Sequence, residues 1–330
     1  MNKKVILSGM RPTGKLHLGH WVGALSNWVN LQEKYNCFFM VADWHALMSE
    51  YKNPSAIKEN IFDNICDWLA YGIDPKKATI FVQSDIHEHL ELYIILSTLT
   101  PLGWLYRCPT FKEQINQLKD KEINTYAFLG YPVLQASDIL LYKADYVPVG
   151  EDQLPHLELT REIVRRFHNV YQKKIFKEPQ PLLTSTARLL GLDGRKMSKS
   201  YNNYIALDEE DKQIKTKILS MFTDPLRIRL SDPGHPQDCN VYSYYNVFFE
   251  EFKTDVYEKC ITAKRGCTEC KEILAKKIIE FISVKREKKK ELLKKKELIY
   301  DILNEGRKKT KEIASLTIKE VKEIIGFNYF

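Results

Sequence analysis

In the first half of the chain, apolar residues fall in short runs separated by stretches of helical spacing. Val5-Ile6-Leu7 is closed by Ser8-Gly9, and helical periodicity follows over residues 20–31, so the chain opens as strand, glycine-bearing loop and helix. Residues 37–42 (CFFMVA), 79–82 (TIFV) and 146–150 (YVPVG) read as further strands with helical pattern between them. Strands alternating with helices require crossover connections. The predicted fold is therefore α/β, with a doubly wound, mostly parallel, Rossmann-like sheet that binds ligands beyond the carboxyl ends of its strands. From about residue 205 the strand pattern gives way to helical spacing at 273–282, 292–303 and 313–325, punctuated by Gly306 and Gly326. This predicts a sheet-bearing half over residues 1–200 and a mostly helical half over 201–330, with the last helix placed to pack back on the first half.

With 330 residues and 44% hydrophobic content, the chain can bury a substantial core, which argues against disorder. No apolar run approaches the ~20 residues that a membrane helix needs. The opening MNKKVILSGMRPTG reaches Gly9 and Pro12 before a signal-peptide core could form, so a cytoplasmic location is expected. The net charge of +7 is concentrated at one end, because residues 253–330 hold 21 Lys and Arg against 13 Asp and Glu. A basic helical segment suits a polyanion such as RNA, or equally a solvated face that pairs Lys with Glu. KREKKKELLKKKE at 285–297 fits an exposed helix.

Two motifs carry chemistry. GMRPTGKLHLGH places Gly9, Gly14 and Gly19 between a strand and a helix start, and it matches neither the dinucleotide fingerprint nor a Walker loop. Backbone can approach a ligand closely at Gly19, while the imidazoles of His17 and His20 and free N–H groups at the helix start can donate to phosphate oxygens. Far downstream, GRKMSKS at 194–200 sets Lys196 and Lys199 on a loop where sheet pattern gives way to helix. When nucleotidyl transfer expels pyrophosphate, charge builds on the leaving oxygens, and ammonium groups that engage at that moment lower the barrier selectively. A carboxylate substrate is already ionised, so positioning and charge stabilisation carry such a reaction without a general base.

H-x-G-H followed by K-M-S-K-S is the signature that class I aminoacyl-tRNA synthetases carry, and the resemblance runs along nearly the whole chain. YPVLQASDILLYKADYVPVGEDQLPHLELTREIVRRF at 131–167 and SGMRPTGKLHLGHWVGAL at 8–25 closely resemble tryptophanyl-tRNA synthetases. The resemblance implies an enzyme that uses magnesium-bound ATP to activate L-tryptophan, charges tRNA(Trp), needs no membrane and forms a homodimer. It makes Asp138 the acceptor for the indole N–H, with Leu7, Gly9, His45, Tyr131, Gln135, Val147, Val149 and Gln153 around the amino acid. It places Arg11, Thr13, Gly19, His20, Gly150, Asp152, Lys196, Met197, Ser198, Lys199 and Ser200 at ATP, with His17, His20, Lys196 and Lys199 stabilising the phosphates. A buried carboxylate left without its donor would disfavour phenylalanine. Tyrosyl-tRNA synthetases share Tyr131, Gln135 and Asp138 at this spacing, but they commonly end the first strand in a tyrosine where this chain has Leu7. Gln135 and Arg11 stand where many bacterial tryptophanyl enzymes have methionine and glutamine. The other readings are a tyrosyl enzyme, a different H-x-G-H nucleotidylyltransferase, and a non-catalytic RNA-binding paralogue.

Seven cysteines are an odd number for a secreted disulfide scaffold. Cys239, Cys260, Cys267 and Cys270 are separated by twenty, six and two residues, a pattern that suits a tetrahedral sulfur site for either zinc or an iron–sulfur cluster. A subset of tryptophanyl-tRNA synthetases carries a 4Fe-4S cluster with the same six-then-two spacing and a lead-in like DPGHPQDC at 232–239. That resemblance implies a 4Fe-4S cluster here, with structural Zn2+ as the alternative. Cys37, Cys66 and Cys108 lie in apolar surroundings and read as inert core residues.

Overall fold

The structure is a computed structural model, and it describes residues 3–108, 122–183 and 189–327. Five strands, β1 (Val5–Met10), β2 (Asn36–Val41), β3 (Ala78–Val82), β4 (Tyr146–Val149) and β5 (Gln180–Leu183), pair in parallel in the order β3-β2-β1-β4-β5. This is the doubly wound sheet that the sequence pattern predicts, and the strand order reverses at β1. The pattern does not mark β5. Its segment QPLL shows no alternation and contains Pro181, which is tolerated because the strand lies at the sheet edge.

The helices are α1 (Ser26–Lys34), α2 (Asp43–Glu50), α3 (Ser55–Ala70), α4 (Glu88–Leu99), α5 (Leu102–Arg107), α6 (Tyr126–Leu141), α7 (Leu154–Tyr171), α8 (Asp211–Leu219), α9 (Asn240–Phe248), α10 (Lys253–Ile261), α11 (Cys267–Lys294) and α12 (Lys296–Ile325). The continuous helix expected over 20–31 is divided instead: a single turn, Leu18–His20, passes through a π-helical turn, Trp21–Leu25, into α1. None of the helices is long and apolar enough to cross a membrane, among the described residues.

Both faces of the sheet are covered, so its strands read as apolar runs without polar alternation. Ile6, Phe39 and Ile80 point to a core that includes Trp28 of α1 and Trp68 of α3. Their neighbours Leu7, Phe38 and Phe81 point the other way, toward Leu96 of α4, Leu140 of α6 and Phe167 of α7. Ala314, Ile318 and Val321 of α12 belong to this second core, so the last helix lies against the sheet-bearing half. Cys37, Cys66 and Cys108 are buried, and burial pushes the Cys37 and Cys66 thiols up to about 12.

Two expectations are corrected. Gly306 does not punctuate the C-terminal helices: it sits inside α12, where a Cβ would land on the Ile80 carbonyl of β3. The glycine marks a close approach between helix and strand, the other meaning of a helical glycine. Nor is the basic run at 285–297 uniformly exposed, since Arg286 is 6% and Lys289 2% exposed. Lys289 Nζ bonds Asp67 at 3.0 Å, Asp63 at 2.9 Å and Asp208 at 3.1 Å, tying α11 to α3 and to the segment before α8. Burial pushes the Asp67 carboxyl up to about 7 despite the lysine, and one of its oxygens has no hydrogen-bond partner.

Replacing a helical glycine by alanine ordinarily stabilises by about 1 kcal/mol. For Gly306→Ala the sign reverses, with an expected loss of about 1–3 kcal/mol from overpacking against Ile80. Urea unfolding checks this against Gly103→Ala, a helical position where an added Cβ meets nothing within 4 Å.

Candidate active site

Tyr131, Gln135 and Asp138 lie on α6 at i, i+4 and i+7, so one helix face presents all three. Thr125 caps this helix by accepting from the Phe128 N–H at 3.2 Å. The face opens on a cavity of about 330 Å³ between β1 and β4, at the point where strand order reverses. Leu7 and Gly9 contribute from β1, Val147 and Val149 from β4, His45 from α2, and Gln153 from the turn before α7, so all nine residues assigned to the amino acid line one cavity. Arg11, assigned to ATP, lines it too, together with Met40, Met48 and Phe128, which the motifs did not single out.

Asp138 is 2% exposed and densely bonded. His45 Nε2 approaches its Oδ2 at 2.8 Å, while Gln83 Nε2 at 2.8 Å and His89 Nδ1 at 2.7 Å both reach Oδ1. Burial alone would raise this carboxyl, but hydrogen bonds from His45 and His89 outweigh it and hold the group below the usual carboxylate value. A carboxylate offers about four acceptor positions, and the three donors leave about one, on Oδ2. His156, which the motifs also left without a role, ties the other two: the Tyr131 hydroxyl donates to its Nε2 at 2.9 Å, and its Nδ1 faces the Gln135 and Gln153 carbonyl oxygens at 3.1 Å. Burial lowers His156 to about 4, so the ring is neutral with its proton on Nδ1.

The histidine motif forms the turn that follows β1. Gly14 adopts a left-handed φ of 110°, and the chain then enters the single helical turn that His17 caps. His17 Nδ1 accepts from the Gly19 N–H, and His20 Nδ1 accepts from the His17 N–H, each at 3.1 Å. Both rings therefore carry their proton on Nε2, as neutral donors. Burial and the nearby Lys199 lower His17 to about 3, and burial with the His17 ring keeps His20 well below its ordinary value. The expectation of free N–H groups is corrected here, because the Leu18 N–H goes to the Ile205 carbonyl, Gly19 to His17 Nδ1, and His20 to the His17 carbonyl. The imidazole Nε2 groups are the donors left for an anion.

GRKMSKS packs directly on this turn. Met197 is buried with its sulfur 3.3 Å from Gly19 N, and Lys199 Nζ donates to the Thr13 carbonyl at 2.9 Å. Lys196 and Ser200 are exposed, and Ser198 accepts from the Ser200 N–H. Asn203, missed in the sequence, shapes the loop: its Oδ1 takes the Ser198 N–H at 2.8 Å, and its Nδ2 donates to Asp193 and to the Lys196 carbonyl. Gly150 and Asp152 follow β4, with Asp152 exposed and a Cβ on Gly150 only 2.7 Å from its Oδ1.

The four clustered cysteines line a second, small cavity together with Arg227 and Arg265. Cys239 precedes α9, Cys260 lies in the last turn of α10, and Cys267 and Cys270 occupy the first turn of α11. Backbone N–H groups of Tyr242, Val241 and Asp224 are directed at the Cys239 sulfur. Burial pushes the Cys270 thiol up to about 12, and the neighbouring cysteines push it the same way. Among the described residues, no three His, Cys, Asp or Glu side chains are placed to hold a single metal ion.

These two centres invite comparison with known proteins. Residues 2–283 match the family described as tRNA synthetases class I (W and Y). The tryptophan–tRNA ligase of Thermotoga maritima is 48% identical over 327 residues, covering 98% of this chain and 99% of its own. That of Aquifex aeolicus is 41% identical, covering 96% and 98%. The crystal structure of Campylobacter jejuni tryptophanyl-tRNA synthetase with ADP and tryptophan superposes with a TM-score of 0.88 at 34% identity, covering 98% of this chain and 99% of its own. The fold and site thus define a class I aminoacyl-tRNA synthetase. Within that class, the chain belongs to the tryptophanyl-tRNA synthetase family.

The lowered histidines fix a pH dependence. A ring near 4 when folded and 6.5 when unfolded binds its proton more tightly in the unfolded chain, so stability falls as pH drops from 6.5 toward 4. His17, at about 3, extends the loss further into acid. Melting temperatures measured between pH 7 and 4 should decline, and His156→Gln should flatten the slope.

Proposed function

We propose that the protein forms tryptophanyl-adenylate from L-tryptophan and magnesium-bound ATP, then passes the tryptophanyl group to the terminal adenosine of tRNA(Trp). The observation that carries this reading is Asp138: a buried, ionised carboxylate with three protein donors and one acceptor position left matches an aromatic side chain whose only polar atom is one N–H. Leu7, Gly9, Val147 and Val149 supply the apolar walls, and Tyr131, Gln135 and Gln153, joined through His156, form the polar end.

In the first step a tryptophan carboxylate oxygen attacks the α-phosphorus of ATP, and the bond to pyrophosphate breaks. Neutral Nε2 donors on His17 and His20 hold phosphate oxygens, and Lys196 and Lys199 stabilise the charge that develops on the leaving group. Arg11, Thr13, Gly19, Gly150, Asp152, Met197, Ser198 and Ser200 frame the nucleotide. Magnesium, carried in on ATP, neutralises part of the triphosphate charge. In the second step the 2′-hydroxyl of the tRNA adenosine attacks the tryptophanyl carbonyl and AMP leaves. The basic helical half, residues 201–330, contacts the anticodon. Exposed Leu90 and Ile94 on α4, with Leu102 and Tyr106 on α5, support a homodimer, and the enzyme works in the cytoplasm.

The cysteine cavity would hold a 4Fe-4S cluster in this reading; a single zinc ion, the alternative, would require the four thiols to draw closer together than they stand. Four sulfurs around one cavity, N–H donors to Cys239 and two arginines fit a dianionic tetrathiolate group. Cys239, Cys260, Cys267 and Cys270 would hold the group, which would tie α9, α10 and α11 together.

Amino-acid-dependent pyrophosphate exchange tests the activity. Tryptophan should stimulate exchange and tyrosine should not; the reverse overturns the assignment. Lys199→Ala should lower kcat by about 10²–10³ with the KM for tryptophan unchanged, as for loss of a group acting on developing charge. Anaerobically purified protein should be brown, with about four iron and four sulfide per chain expected for this cluster type; a colourless protein with zinc would replace the cluster by the alternative.

A further inference from the structure

His89 has no part in the chemistry above, yet it is fully buried (0% exposed) and bonds directly to Asp138. Its Nδ1 lies 2.7 Å from Asp138 Oδ1 and its Nε2 lies 2.8 Å from the Tyr142 hydroxyl. A carboxylate only accepts, so Nδ1 carries the proton, and Nε2 accepts from the Tyr142 O–H. The Tyr142 ring is itself buried, 3% exposed, so its hydroxyl is held at His89 Nε2 away from solvent. Packing fixes both rings: Phe81 lies nearly parallel to His89, with centroids 6.2 Å apart, and Phe38 stacks on Tyr142 at 5.3 Å. Ser137 donates to the His89 carbonyl at 2.6 Å, so the backbone beside the ring is held as well.

The terminal torsion of an aspartate is broad and roughly two-fold, so burial alone does not decide which oxygen faces a cavity. Gln83 and His89 both engage Oδ1, but only His89 connects onward to a further buried group. We propose that His89 is a positioning residue: the pair Tyr142–His89 holds Asp138 Oδ1 and thereby keeps Oδ2 open to the substrate, so that residues behind the cavity wall help to set discrimination for an N–H-bearing aromatic side chain. The inference rests on Asp138 being the acceptor for the indole N–H.

The probe is β-(3-benzothienyl)alanine, in which sulfur replaces the indole N–H at nearly unchanged shape. Pyrophosphate exchange gives kcat/KM for tryptophan and for this analogue, and their ratio isolates the Asp138 contact. The unaltered enzyme should prefer tryptophan on the order of a hundredfold, because a polar site rejects a ligand that leaves its acceptor unpaired. His89→Leu should reduce that ratio about tenfold, and Tyr142→Phe about fivefold, as expected for loss of a buried hydrogen bond, with the KM for ATP unchanged. His89→Asn places an amide N–H where Nδ1 lies and should retain most of the preference. If His89→Leu does not fold, Tyr142→Phe and His89→Asn decide the matter between them. Equal losses for both amino acids, leaving the ratio intact, would mark a purely structural role and overturn the positioning inference. No preference in the unaltered enzyme would instead overturn the Asp138 reading, and the positioning role with it.

Discussion

Two backbone hydrogen bonds, from the Leu18 N–H to the Ile205 carbonyl and from the Leu207 N–H to the Leu16 carbonyl, join segments far apart in the chain. The histidine turn lies on one side of this joint and the lysine loop ends on the other. The packing of the two short motifs on one another depends on it. Met197 reaches Gly19, and Lys199 reaches Thr13, only because the chain after the loop is already fastened to the turn. The joint is itself anchored: Asp208, one residue beyond it, bonds both Lys15 and the buried Lys289, which is shared with Asp63 and Asp67 of α3. A loop hung from a fixed pivot can rearrange without its ends losing place.

The charge distribution follows from how the two motifs are held. Protonated imidazoles at the turn would repel Lys199, and burial already disfavours that form, so His17 and His20 stay neutral and act through Nε2–H dipoles. Formal positive charge then comes from Arg11 and the lysine loop rather than from the histidines. In the proposed reaction this division would separate binding, which neutral donors serve at every stage, from stabilisation of the leaving group, which charge serves best when it arrives late.

Much of this was legible in the chain because the relevant signals are local. Apolar runs named four of the five strands, and Tyr131, Gln135 and Asp138 fall on one face simply because helical spacing puts them there. What stayed hidden depends on partners distant in sequence. Pro181 made β5 look like a loop, and its strand character exists only through pairing with β4. Gly306 looks like a helix break until the Ile80 carbonyl is seen beneath it. His89, His156 and Asn203 carry no motif of their own, and each acquires a role from side chains that the fold brings to it. Lys289 looked solvated for the same reason: three carboxylates from elsewhere surround it.

The packing of α12 on β3 also has a consequence for the order of synthesis. Ala314, Ile318 and Val321 complete a core whose other members, such as Leu7, Phe38 and Phe81, are translated long before them. Domains generally fold from the N-terminus as the chain appears, yet here the part of that face over β3 stays open until a segment some two hundred residues further on has been made. A growing chain that stalls before residue 296 would therefore expose apolar surface on β3, making such fragments targets for chaperones and proteases.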